Sequence, residues 1–156
     1  NLIAAFNLYR QNFPKSQVEL AITGKYGWGK DVLHLKNSYI KILGYIPEKD
    51  MVALHAKALF LAYPSLYEGF GLPLVKSMKV GVPVLTSNTS SMPEIVGKSG
   101  ILVDPTSINS IYLGINKLLS SSLLRRQLSQ QARQISAKFS WDQTALNTLN
   151  IYSKLK

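Results

Sequence analysis

Short apolar segments with strand-like patterning alternate with helix-like segments along the chain, and the connections between them are short. No other feature constrains the fold so strongly. A helix between two strands returns the second strand parallel to the first, with a right-handed crossover. The expectation is an α/β, doubly wound, Rossmann-like parallel sheet flanked by helices. Leu2, Ile3, Phe6, Tyr9 and Phe13 share one helical face, and Pro14 ends that helix. Strands are predicted at residues 18–23, closed by Gly24, and at 39–46, interrupted by Gly44, with a short helix at 31–38 between them. Pro47 opens the next helix at a first-turn position. The apolar run at 58–63 reads as the most buried strand, covered on both faces. A helix at 72–80, a strand at 82–87, a short helix at 91–96 and a strand at 100–104 follow. The remainder is helical. Ile108, Ile111, Tyr112, Ile115, Leu118 and Leu119 form one stripe, Leu124, Leu128, Ile135 and Phe139 another, and a last helix follows Trp141 and Asp142. Ser120, Ser121 and Ser122 form a turn between helices, so the 156 residues are read as one domain.

Composition narrows the function. Hydrophobic residues make up 46% and charged residues 17%, enough apolar material for a core and too little charge for a disordered chain. There is no cysteine, which excludes disulfides, thiolate–zinc sites and a thiol nucleophile. His34 and His55 are the two imidazoles, a poor basis for a histidine metal site. Lys and Arg number 18 against 8 Asp and Glu, a net charge of +10. Such a chain favours an anionic partner: nucleic acid, acidic lipid or a phosphate-bearing small molecule. No apolar run approaches the ~20 residues of a membrane span.

In doubly wound sheets ligands sit beyond the carboxyl ends of the strands. The loops after Thr23, Ile46, Tyr63 and Ser87 are therefore the expected site. Residues 64–73, Pro-Ser-Leu-Tyr-Glu-Gly-Phe-Gly-Leu-Pro, are the most suggestive. Two glycines permit unusual backbone angles and close approach of a ligand. Pro73 suits a first helical turn, whose free N–H groups, with roughly +0.5 of a charge from the helix dipole, suit a phosphate. Glu68 precedes this anion site. A phosphate would repel it, whereas sugar hydroxyls would donate hydrogen bonds to it. The plain alternative is a structural turn with a solvated Glu68, and the residues alone leave both open.

The stretch PSLYEGFGLPLVKSMKVGVPVLTSN, followed by SSMPEIVG and GILVDP, closely resembles the carboxyl-terminal domain of the retaining glycosyltransferases of family 4, which have the two-domain GT-B fold. LGYIPEKDMVALHAKALFLAYPS looks like that family's preceding strand–helix–strand, and FSWDQTA resembles its late F-S-W element. The resemblance implies a nucleotide-sugar donor and transfer of a hexose to an acceptor hydroxyl with retention and release of a nucleoside diphosphate, without a cofactor or bound metal. Glu68 matches the first Glu of the family's E-x7-E motif, which contacts the transferred sugar. Gly69, Phe70, Gly71 and Leu72 match the backbone that approaches the sugar and diphosphate. Tyr45 and Ile46 match the turn beside the nucleobase, and Gly24 and Lys25 another turn of the same wall.

The chain departs from the pattern twice. The second Glu of the motif, which accepts the ribose hydroxyls in the family, falls at Lys76. An ammonium has three donors and no acceptor. Either its flexible stem serves the diphosphate, or it points to solvent and the donor site is degenerate. The chain also begins at Asn1 in what reads as mid-helix, past the family's first strand, glycine-rich turn and diphosphate-binding Arg and Lys. The expectation is a donor-binding fragment, inactive by itself, lacking the acceptor domain and a central strand between the segments 18–23 and 58–63.

Other candidates have plainer readings. His55 reads as a partly buried structural residue and His34 as solvated. Lys25, Lys30 and Lys98 would gather at a phosphate edge or serve as ordinary surface. Glu94 matches a recurrent family residue, and a carboxylate at a helix start explains it equally. Trp28 would cover the sheet edge or stack on a base. Lys117, Arg125, Arg126, Arg133, Lys138, Lys154 and Lys156 read as a solvated helical face, or as a contact with an anionic membrane carrying a lipid-linked acceptor. The setting expected is cytoplasmic, with the cytoplasmic membrane face as a candidate contact. Three function classes remain: a glycosyltransferase donor-binding domain acting on a glycan or lipid-linked acceptor, a non-catalytic or degenerate relative acting as a nucleotide-binding or partner module, and, ranked last for want of any motif, a nucleic-acid-binding module. No G-x-G-x-x-G follows the first strand, so an NAD-type reading fails.

Overall fold

The computed structural model describes residues 1–24 and 37–155. Lys25, Trp28, Lys30, His34, Lys156 and most of the short helix expected at 31–38 lie outside the described residues. The elements run α1 (Leu2–Asn12), β1 (Leu20–Thr23), β2 (Ile40–Gly44), α2 (Glu48–Lys57), β3 (Leu61–Tyr63), α3 (Leu72–Lys79), β4 (Val84–Ser87), α4 (Met92–Val96), β5 (Gly100–Val103), α5 (Ile108–Ser120), α6 (Ser122–Ser136) and α7 (Trp141–Ser153). Among the described residues the named strands all pair in parallel, and each predicted strand is present in shortened form.

The strands form two sheets, β1-β2 and β3-β4-β5. Among the described residues β1 and β3 do not pair, which is where the resemblance puts a further strand. The alternation of short apolar segments thus yields the expected α/β architecture, with the sheet interrupted at its centre. Register in the first sheet runs Leu20 to Ile40, Ala21 to Lys41 and Ile22 to Ile42, then slips so that Thr23 faces Gly44. The slip lets Gly24 N–H donate to the Gly44 carbonyl at 2.8 Å. Gly44 has φ of 68°, a left-handed angle that a side chain disfavours, and it turns the chain out of β2.

The apolar run at 58–63 is a correction. Only Leu61–Tyr63 is strand, all three residues are half-buried, and Leu59 is exposed. The most buried strand is β4, whose four residues are all buried. The reason is position: among the described residues β4 is hydrogen-bonded on both sides, β3 on one. Pro47 caps α2 from outside, one position before its first turn.

Helices cover both faces. On one, Phe6 and Tyr9 of α1 and Ile111, Ile115 and Leu118 of α5 bury against Ile40, Leu85 and Val103. On the other, Leu74, Val75 and Met78 of α3 pack with Val84, with Met92, Ile95 and Val96 of α4, and with Ala132 of α6. Ser107, Ser121 and Ser140 each accept a backbone N–H as helix caps, as their hydroxyls allow. Two residues of the expected basic face have structural duties. Arg125 donates to the Leu118 and Leu119 carbonyls at the end of α5, and Arg133 to the Val80 carbonyl just past α3. Both place positive charge where a helix dipole is negative. Every residue of α7 is exposed, and no helix among the described residues is long and apolar enough to cross a membrane.

Candidate functional site

Within each sheet the strands are parallel, so their carboxyl ends share an edge: Gly24 and the turn 45–47 open from the edge of the first sheet, and the loops 64–71 and 88–91 from that of the second. Lys98 precedes β5 and so lies at the amino edge, away from the loops 64–71 and 88–91. Tyr45 is exposed and Ile46 half-buried in their turn. Among the described residues, a methyl group built on Gly24, Gly44 or Gly69 would meet nothing within 4 Å. Lys25 lies outside the described residues.

The loop 64–71 is held by hydroxyls of the neighbouring segment. Thr86 Oγ1 donates to the Tyr63 carbonyl at 2.8 Å, and Ser87 Oγ donates to the Ser65 carbonyl. Ser90 Oγ donates to the Glu68 carbonyl at 2.7 Å and accepts from the Glu68 N–H at 3.3 Å. Ser91 Oγ lies 3.0 Å from the carbonyl oxygens of both Glu68 and Phe70. Ser90 takes φ of 57°, uncommon for a residue with a side chain, in making this reciprocal contact. Such hydroxyls satisfy loop backbone that no strand pairs with.

Glu68 is half-buried, and its Oε1 accepts from the Tyr63 hydroxyl at 2.6 Å. Burial pushes the Tyr63 phenol above its ordinary value, and the bond to Glu68 pushes the same way. Gly71 follows as the α3 cap with φ of 97°, which glycine adopts without steric cost, and Pro73 stands in the first turn. Gly71 has no side chain to cap the helix; Pro73 has no N–H and the Leu74 N–H donates to the Gly71 carbonyl at 3.0 Å, so of residues 72–74 Leu72 alone keeps an N–H without a partner among the described residues. The Phe70 ring is braced edge-on by Phe139 at 5.7 Å between centroids, joining the F-S-W element to the loop. Leu66, Tyr67, Phe70 and Leu72 present exposed apolar surface around Glu68.

Lys76 has a partner that neither reading of it named: its Nζ lies 2.6 Å from Oε1 of Glu48, in the first turn of α2. The pair bridges α2 and α3 above buried His55. Burial pulls the His55 imidazole below its ordinary value, and the Lys76 charge adds to that while Glu48 opposes it. His55 is buried, as its setting on the helix predicts. Glu94 is exposed in the first turn of α4. Sequence reasoning missed Tyr63, Glu48, Phe139 and the serine clasp. The hydroxyl-rich run Ser87-Asn88-Thr89-Ser90-Ser91, placed after a strand at the site edge, was the available signal.

A carboxylate held at a loop edge beside an open helix start can take the hydroxyl groups of a ligand whose anionic part meets the helix. Residues 1–135 match the family of glycosyl transferases group 1. The chain belongs to that family. Among curated members, it is 37% identical over 142 residues to the O-antigen chain mannosyltransferase B of Escherichia coli, covering 87% of this chain and 37% of that protein. It is 34% identical over 113 residues to the MMP alpha-(1->4)-mannosyltransferase of Mycolicibacterium hassiacum, covering 70% of this chain and 28% of that protein. The group 1 chain thus spans well under half the length of these relatives. Among solved structures, sucrose-phosphate synthase from Thermosynechococcus elongatus superposes with a TM-score of 0.82 at 24% identity, covering 98% of this chain and 42% of that one. Anabaena HepE in complex with UDP and glucose superposes with a TM-score of 0.80 at 23% identity, covering 94% of this chain and 44% of that one. These likenesses establish the fold, one half of a GT-B architecture.

Proposed function

We propose that this group 1 domain binds a nucleoside-diphosphate sugar and presents it for hexosyl transfer to a glycan or lipid-linked acceptor held by another domain. The observation that carries the reading is the Glu68 carboxylate, clamped at the carboxyl edge one short loop before the open amino end of α3. Glu68 would accept hydrogen bonds from the sugar. The backbone at Gly69, Phe70, Gly71 and Leu72 would face the diphosphate, and the helix start would stabilise the charge that grows on that leaving group. Gly24, Lys25, Tyr45 and Ile46 would form the nucleobase wall, and the flexible stem of Lys76 would bring its ammonium to the diphosphate. Retention of configuration, membership of family 4 and a mechanism without a bound metal belong to this proposal. So does a cytoplasmic setting, with the membrane as a contact where the acceptor is lipid-linked. The relatives' names make mannose the first sugar to try.

The test is binding, then transfer. Thermal stabilisation of the intact protein by UDP, GDP or ADP, persisting in high salt, supports the reading, because a ligand of the native state raises stability by mass action. Glu68→Gln should keep the fold and lose most transfer, since hydrogen bonds to charged groups contribute ~1.5–3 kcal/mol each. Unchanged turnover in Glu68→Gln would remove Glu68 from the site. DNA binding that collapses with salt, with no nucleotide response, would favour the nucleic-acid reading instead. Nucleotide binding with no transfer would favour the non-catalytic relative.

A further inference from the structure

We propose that Tyr63 is the positioning residue for Glu68, fixing which carboxylate oxygen meets the sugar; the inference rests on the donor reading above. A glutamate at a loop edge has rotatable bonds that would spread its carboxylate over many orientations. Here both ends of the residue are tied. Its main chain is clasped by Ser90 and Ser91. Its Oε1 takes the Tyr63 hydroxyl at 2.6 Å, within the range of a charge-assisted O–H···O bond. Tyr63 is itself immobilised. It is the last residue of β3, opposite Thr86 in the ladder, and its carbonyl is held by the fully buried Thr86 hydroxyl. Its ring packs against the core cluster beneath α3 and α4. The phenol thus stands on the rigid end of the sheet, while the carboxylate it holds belongs to the loop.

The consequence is chemical. Among the described residues Tyr63 is the one donor to the Glu68 carboxylate, so Oε2 keeps its lone pairs for a ligand. A phenol is protonated through the neutral range and so can donate there, and burial and the Glu68 bond push its ionisation higher still, against a smaller opposing effect of Ser65. Sugar hydroxyls donating to Oε2 then meet an acceptor already oriented, and less ordering remains to be done on binding. A merely structural tyrosine would support the loop as a whole and affect every part of the ligand alike. A positioning tyrosine affects the sugar alone.

The experiment compares a nucleotide sugar with its sugar-free diphosphate in the intact protein, using UDP-glucose with UDP and GDP-mannose with GDP. Tyr63→Phe keeps the ring, the ladder and the Thr86 bond, and removes only the hydroxyl. We expect it to weaken the nucleotide sugar about tenfold, the scale of one charge-assisted hydrogen bond. The affinity for the diphosphate and the melting temperature should stay near wild type. In a Glu68→Gln background, Tyr63→Phe should add almost nothing, because the two residues act as one unit. Equal weakening of sugar nucleotide and diphosphate, no weakening of either, or full additivity of the two substitutions would overturn the role of Tyr63. If Glu68→Gln leaves the preference for the nucleotide sugar intact, or if neither pair binds the wild type, the donor reading fails and this role fails with it.

Discussion

Reversing the charge at position 76 separates the roles open to Lys76. In the structure its ammonium lies 2.6 Å from Glu48, with the two side chains 46% and 73% exposed. Two unit charges ~4 Å apart interact by about 1 kcal/mol in water and more at a partly screened surface, and exposed pairs measured by mutation yield ~0.2–1 kcal/mol. The exposure of Glu48 places this pair at the weak end. Lys76→Glu removes that attraction and sets two carboxylates side by side, a repulsion of similar size, so it should cost about 0.4–1 kcal/mol at low salt, most of it recovered at high salt. At this chain length that corresponds to a melting point lower by roughly 1–4 °C. The double reversal, Glu48→Lys with Lys76→Glu, should restore most of the loss. Thermal melts of the four variants at low and high salt form the cycle. Nucleotide affinities of the same variants complete the picture. If Lys76 serves the diphosphate, Lys76→Glu weakens a nucleoside diphosphate more than a nucleoside, and the gap narrows with salt. If the site has decayed, the new carboxylate strengthens both. A cycle with no coupling at low salt would refute the pairing of Lys76 with Glu48. Unchanged affinities would place Lys76 outside the donor site.

Three further outcomes follow from packing and protonation. His55 has its protonation suppressed in the fold, so stability should be complete above its ordinary value of 6.5 and fall as pH drops below it, while the unfolded chain takes up the proton first; denaturant melts between neutral and mildly acid pH should show the loss, and His55→Gln should flatten it. The Ser77 hydroxyl is fully buried without a partner among the described residues, so Ser77→Ala should be neutral or stabilising by up to about 1 kcal/mol in urea unfolding, and a marked loss would reveal a bond that it makes. Gly114→Ala sets a helix-propensity gain of ~1 kcal/mol against a clash, since its Cβ would sit 2.7 Å from Leu85 and 2.8 Å from Val103; overpacking of ~1–3 kcal/mol should win, and a raised melting point would show that the core yields.

The exposed face of α7 and the split between β1 and β3 share a physical consequence. An edge strand presents unpaired N–H and C=O groups, and an uncovered helix leaves Trp141, Leu146, Leu149, Ile151 and Tyr152 to water. The chain spans less than half the length of the relatives it matches.

The chain's own pattern determined whatever depends on near neighbours in sequence. Alternating periodicity set the order of strands and helices, and parallel strands then set the edge of each sheet at which its loops gather. Glycine and proline around Glu68 marked the loop and the start of α3, and Ser120, Ser121 and Ser122 the turn between α5 and α6. Tertiary structure decided who meets whom. An apolar run cannot reveal how many partners its strand will have, so β3 read as central and proved half-buried, while β4 took the interior. A lysine cannot reveal that a glutamate on another helix will turn to face it, as Glu48 does Lys76. A serine 22 residues beyond Glu68 in sequence reaches its backbone only because β3 and β4 lie side by side. Tyr63 and Glu68 are near in sequence, yet their bond needs a loop path that the clasp imposes from outside. Hydrogen bonds and ion pairs act over a few ångströms, and that proximity is a property of the folded chain rather than of its order.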